Sequence, residues 1–125
     1  MPGLESTRPL IIKITCGVEA PERANQAWTV AALGLAAGAE LTVWLTGEAV
    51  WFAVPGQQPD LALPHATPVA DLIATVRSAG QIRVCSQCAA RRDLTADDLI
   101  SGAQIAGAAS FVEAILTPDV QALVY

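Results

Sequence analysis

The chain has 125 residues, 53% of them hydrophobic and 15% charged, which is enough for one domain with a real core and too apolar for disorder. Seven basic against twelve acidic residues leave a net charge of −5, which argues against nucleic-acid binding through bulk charge. The longest uncharged stretch, Ala24 to Ala39, contains Asn25 and Gln26 and falls short of the ~20 apolar residues of a membrane span.

The beginning, Met1-Pro2-Gly3-Leu4-Glu5, lacks the basic-then-apolar pattern of a secretion signal. A cytoplasmic, reducing location is therefore expected. There the three cysteines read as chemistry or burial, not as a disulfide framework.

The β-branched run Leu10 to Cys16 predicts a buried strand, broken by Gly17. Pro21 and Glu22 suit the first turn of a helix, whose apolar positions Ala24, Ala27, Trp28, Ala31 and Leu35 recur at helical spacing until Gly38. Glu40 to Thr46 is a second strand. Gly47 then opens a turn into the short apolar segment Glu48 to Val54, read as a helical turn. Pro55 to Thr67 is a loop, long enough to be functional or interfacial.

Helical periodicity resumes at Pro68 to Arg77, with Val69, Leu72, Ile73 and Val76 on one face. Gly80 ends it, and Gln81 to Val84 forms a third strand that runs into Cys85-Ser86-Gln87-Cys88 and then Arg91-Arg92. Thr95 to Asp98 fits a capping pattern before another helical turn. A fourth strand at Ala103 to Ala106, a helix at Ala108 to Leu116 and a terminal strand at Gln121 to Tyr125 complete the chain. Strands alternating with helices predict one α/β domain over residues 1–125, a three-layer α/β/α sandwich with a mainly parallel sheet of about five strands.

In such sheets ligands collect beyond the carboxyl ends of the strands. Cys16-Gly17, Thr46-Gly47 and Cys85 should all converge there. A thiol at a strand-to-helix junction meets free backbone N–H groups and the positive end of the helix, and both favour the thiolate. Arg91 and Arg92 push the same way. Cys88, three residues on, lies on the same helical face. Cys85 is therefore the candidate nucleophile and Cys88 its partner, against the alternative that both are small buried hydrophobes. Gly17 and Gly47 are candidates for stabilising the thiolate or a bound substrate. Cys16 reads as core. A zinc site would have to recruit Cys16 and the lone His65, so no metal is expected. No dinucleotide-binding or Walker glycine pattern occurs. Trp28, Trp44, Trp51 and Phe52 read as core or interface aromatics.

Val84-Cys85-Ser86-Gln87-Cys88-Ala89-Ala90-Arg91-Arg92 resembles the motif of the DsrE/DsrF-like family of small sulfur-relay proteins, in which a strand ends in Cys with Arg-Gly about two turns later. The order strand, Gly17, Glu19-Ala20-Pro21-Glu22-Arg23-Ala24, helix, Gly38 and the strand Leu41 to Leu45 is similar too, so the resemblance covers nearly the whole chain. It implies a flavodoxin-like three-layer fold and assembly into trimers or hexamers. It also implies a cysteine, here Cys85, that carries sulfur as a persulfide between donor and acceptor proteins. Cys88 matches a second cysteine found in some members. Asp93 stands where the family usually has Gly.

Storing sulfur requires an accessible thiolate and no cofactor. The loop Pro55 to Thr67, from this subunit or a neighbour, is a candidate shield for the persulfide. Three functions compete at this point: sulfur relay through Cys85, with or without sulfurtransferase turnover; a dithiol/disulfide redox protein using Cys85 and Cys88; and a non-enzymatic oligomeric interaction module.

Overall fold

The computed structural model describes residues 8–125. Five strands, β1 (Pro9–Ile14), β2 (Glu40–Leu45), β3 (Gln81–Cys85), β4 (Ala103–Ala106) and β5 (Gln121–Val124), pair in the order β4-β3-β2-β1-β5, every pair parallel. Four α-helices connect them: α1 (Pro21–Ala36), α2 (Val69–Ala79), α3 (Ser86–Arg91) and α4 (Ala108–Ile115). A 3-10 helix spans Gly47–Ala53 and a single 3-10 turn spans Ala96–Asp98. The expected α/β sandwich with a parallel sheet is thus observed. The first strand stops at Ile14, so Thr15 and Cys16 lie in the connection beyond it.

The strand order explains where the helices sit. Stepping from β1 through β4 runs in one direction across the sheet, and right-handed crossovers put those connections on one face. The return from β4 to β5 runs the opposite way, which sends α4 to the other face. Side-chain alternation agrees: Ile12, Ile14, Val43, Leu45, Ile82 and Val84 are all buried under the first set of helices. Lys13, Trp44, Arg83 and Gln104 form a register row on the opposite face.

Small residues let α1 approach the sheet closely. Ala24, Ala27 and Ala31 are fully buried around Trp28, which meets Phe52 of the 3-10 helix edge to face, with ring centroids 5.6 Å apart. Such a pair adds about 0.5–1.5 kcal/mol beyond its buried area, and it seats the segment after β2 against the core. On the other face the covering is thin. α4 buries none of its residues fully, and Phe111 is its main contact, stacked edge to face on Trp44 at 5.4 Å.

Candidate functional site

The connection after β3 leaves on one face and that after β4 on the other, so the crevice of this sheet opens between these neighbours. Cys85 stands there as the last residue of β3, in register with Ala106 of β4. It is half-buried. On the α4 side it borders a cavity of about 60 Å³ lined also by Lys13, Trp44, Thr46, Gly107 and Phe111.

Cys88 lies in α3 and is 8% exposed. Its Sγ accepts a hydrogen bond from the backbone N–H of Gly47 at 3.2 Å. Burial pushes this thiol up, but the Gly47 N–H, the adjacent Cys85 thiol and the charges of Arg92 and Arg91 outweigh it and hold Cys88 below the ordinary thiol range. The thiol held low is thus three residues beyond the one the sequence singled out. The physical reason lies in Gly47, which donates its N–H to the sulfur and holds a φ of +55°. A side chain there would also bring its Cβ to 3.0 Å from the Thr15 carbonyl oxygen.

Arg92 serves the same sulfur indirectly. Its Nε and Nη2 donate to Glu48 Oε2 at 3.0 and 2.8 Å, and its Nη1 donates to the Cys88 carbonyl at 3.1 Å. With the two side chains 21% and 45% exposed, the ion pair itself adds no more than about 1 kcal/mol. Its effect is positional: it ties α3 to the segment carrying Gly47. Trp51 Nε1 also donates to Glu48 Oε2, at 3.3 Å. Gly17 is buried against this segment, and a Cβ on it would lie 3.0 Å from the Glu48 carbonyl oxygen. Gly17 therefore spaces the loops, and its own N–H goes to Glu19, away from the thiols. Arg91 is exposed and acts on Cys88 through charge alone.

Cys16 is buried, and burial together with Glu19 raises its thiol above the ordinary value despite Arg23. This is the behaviour of a core cysteine. His65 sits in the long loop, and among the described residues no group of His, Cys, Asp and Glu has the arrangement of a metal site. That loop folds back through buried Leu61 toward Asn25 of α1 and Val69 of α2, and none of its residues lines the cavity at Cys85 in its own chain.

Sequence reasoning missed Glu48, Lys13 and Trp44. Lys13 carried a signal, as the one charge in an apolar strand. Glu48 carried none, because its role depends on an arginine 44 residues away.

The sequence profile of the DsrE/DsrF-like family matches residues 10–121. The chain belongs to that family. Among solved structures, the YchN protein of E. coli superposes with a TM-score of 0.75 at 16% identity, over 96% of this chain and 100% of the other. MTH1491 of Methanobacterium thermoautotrophicum, described as a protein of unknown function, gives 0.67 at 10% identity over the same shares. At such identities the likeness is one of fold. No curated protein matches the chain in sequence.

Membership in the DsrE/DsrF-like family gives Asp93 a meaning. It occupies the position after α3 with φ +55°, in the left-handed region that glycine enters freely. Leu94 N–H bonds to the Ala89 carbonyl at 2.9 Å and Asp93 N–H to that of Ala90 at 3.1 Å, the paired bonds of a Schellman ending. The turn expected of a glycine is therefore made with an aspartate in its place.

Proposed function

We propose that this chain is a cytoplasmic sulfur-relay protein that carries sulfane sulfur as a persulfide on Cys85 and passes it to a partner protein. The observation that supports this reading most is the placement of two cysteines at the mouth of the sheet: Cys85 half-buried at the end of β3, and Cys88 one helical turn on, its Sγ accepting the Gly47 N–H at 3.2 Å.

The pair supplies both parts of a transfer cycle. The Cys88 thiolate takes the Cys85 proton as Cys85 attacks the terminal sulfur of a donor persulfide. A new S–S bond forms on Cys85, the donor's S–S bond breaks, and the electron pair of that bond leaves on the donor thiolate. In the return step an acceptor thiolate attacks the outer sulfur, and the departing Cys85 sulfur recovers its proton from Cys88. No net oxidation occurs.

The test is the sulfur load of three proteins after incubation with a persulfide donor. Relay predicts one added sulfur on the wild type, none on Cys85→Ser, and a full but slower load on Cys88→Ser. Absence of loading on the wild type would remove the proposal. The spacing of the two thiols, one helical turn apart, favours a second reading, a dithiol that cycles through a Cys85–Cys88 disulfide. There Cys88→Ser would stop turnover altogether.

Assembly with further copies of this chain, as a trimer or hexamer, belongs to the same proposal. It is supported by the apolar face of α4, where Val112 and Leu116, one turn apart, are 47% and 75% exposed.

A further inference from the structure

The cavity on the α4 side of Cys85 has a chemistry that the relay does not use. Its floor is Trp44, 4% exposed, whose indole N–H is buried with no hydrogen-bond partner. A buried donor left unsatisfied is costly, so a group able to accept from it gains more than it would in water. Lys13 lines the same space. Its ammonium lies 4.9 Å above the Phe111 ring and makes no ion pair with any carboxylate among the described residues. Thr46 lines it as well, its hydroxyl donating to the Ile14 carbonyl at 3.4 Å, and Cys85 adds the nucleophilic sulfur. The other orphaned indole N–H, that of Trp28, belongs to a fully buried side chain packed on Phe52 and has no such company.

One cation and one unpaired buried donor beside a thiol select an anion. The volume of about 60 Å³ holds roughly four or five waters, which limits the occupant to a handful of heavy atoms. Nucleotides and peptide segments are too large. We infer that this cavity binds a small sulfur oxyanion carrying a sulfane sulfur, its oxygens toward Lys13 and Trp44 Nε1 and its sulfane sulfur toward Cys85, so that the chain is loaded directly by a soluble donor of the thiosulfate type.

The inference rests on Cys85 being the sulfur carrier. The reaction balances without a further reagent. The Cys85 thiolate bonds to the sulfane sulfur, the S–S bond of thiosulfate breaks, and sulfite leaves with the electron pair, leaving a persulfide anion on Cys85. Lys13 and the indole N–H hold the oxygens whose charge stays with the leaving sulfite.

The probes are thiosulfate, sulfate and a persulfidated donor protein, acting on wild type and Lys13→Met. Lys13→Met keeps an aliphatic stem against Phe111, and retention of the fold is read from the amide spectrum. Thiosulfate should load Cys85 of the wild type with saturation, and sulfate should compete while shifting the Trp44 indole N–H resonance, assigned with Trp44→Phe. Loss of the lysine charge should weaken half-saturation by thiosulfate about tenfold or more. That loss should exceed any loss with the donor protein by a similar factor. Loading by the donor protein but not by thiosulfate, an unmoved Trp44 resonance, or equal saturation of wild type and Lys13→Met would each overturn the inference and leave the relay intact. Failure of both donors would remove the relay, and this inference with it.

Discussion

Cys88 carries the electrostatics of the site although Cys85 carries its access. A thiol with an ordinary pKa near 9.0 that is held lower in the fold stabilises the folded chain fully above that value. This contribution is lost as pH falls through the lowered value. Cys16 has the opposite sign: its raised thiol stabilises below 9.0 and loses that contribution as pH climbs through the raised value. The loading rate of Cys85 should therefore rise with pH around a midpoint below 9.0, and Cys88→Ser should move the midpoint upward. An unmoved midpoint in stopped-flow rates would remove Cys88 as the proton acceptor. Gly47 is the second residue on which this depends. Gly47→Ala forces an L side chain into a left-handed conformation, worth about 1–2 kcal/mol, with a close approach to the Thr15 carbonyl besides. Denaturant unfolding should show at least that loss, and the reactivity midpoint should shift in the direction of Cys88→Ser.

At the scale of elements, α3 is short and would be marginal alone, so its ends decide its placement. Arg92 fastens its last turn to Glu48, and the Schellman ending turns the chain toward the Thr95–Asp98 capping box. Replacing Asp93 by Gly removes the left-handed penalty while loosening the unfolded chain. The expected gain is up to about 1 kcal/mol in unfolding free energy, and a loss of stability would contradict the account of this turn. Most elements were legible because each announces itself locally: β-branched runs for β1 and β2, Pro21 and Gly38 around α1, Gly80 before β3. The Cys85–Cys88 pair was legible for the same reason, being four consecutive residues. Glu48, Lys13 and Trp44 were not, because only the parallel register of β1 with β2 brings Lys13 beside Trp44, and only the 3-10 helix brings Glu48 to Arg92. Spacing along the chain does not encode which strands become neighbours.

For the whole molecule, the two faces of the sheet have unequal cover. The face under α1 and α2 is closed by a continuous core, whereas the other face has one two-turn helix over it. Val124 at the end of β5 is 64% exposed, in addition to Val112 and Leu116. An apolar chain with such a face should associate with its own copies. Val112→Glu with Leu116→Glu touches no buried contact of the single chain, so it should lower the mass in sedimentation equilibrium without changing the circular dichroism. An unchanged mass would contradict assembly through this face. The same asymmetry places the crevice: because the connections after β3 and β4 part to opposite faces, the thiol at the end of β3 is reached from the thinly covered side.

Fragment-ion mass spectrometry on the peptide holding both thiols, taken after the wild-type chain has met a persulfide donor and been alkylated, probes this picture most directly. The extra sulfur should sit on Cys85, with Cys88 and Cys16 carrying the alkyl group alone or nothing. Sulfur found on Cys88 or Cys16 instead, or a bare Cys85–Cys88 disulfide as the sole product, would contradict it.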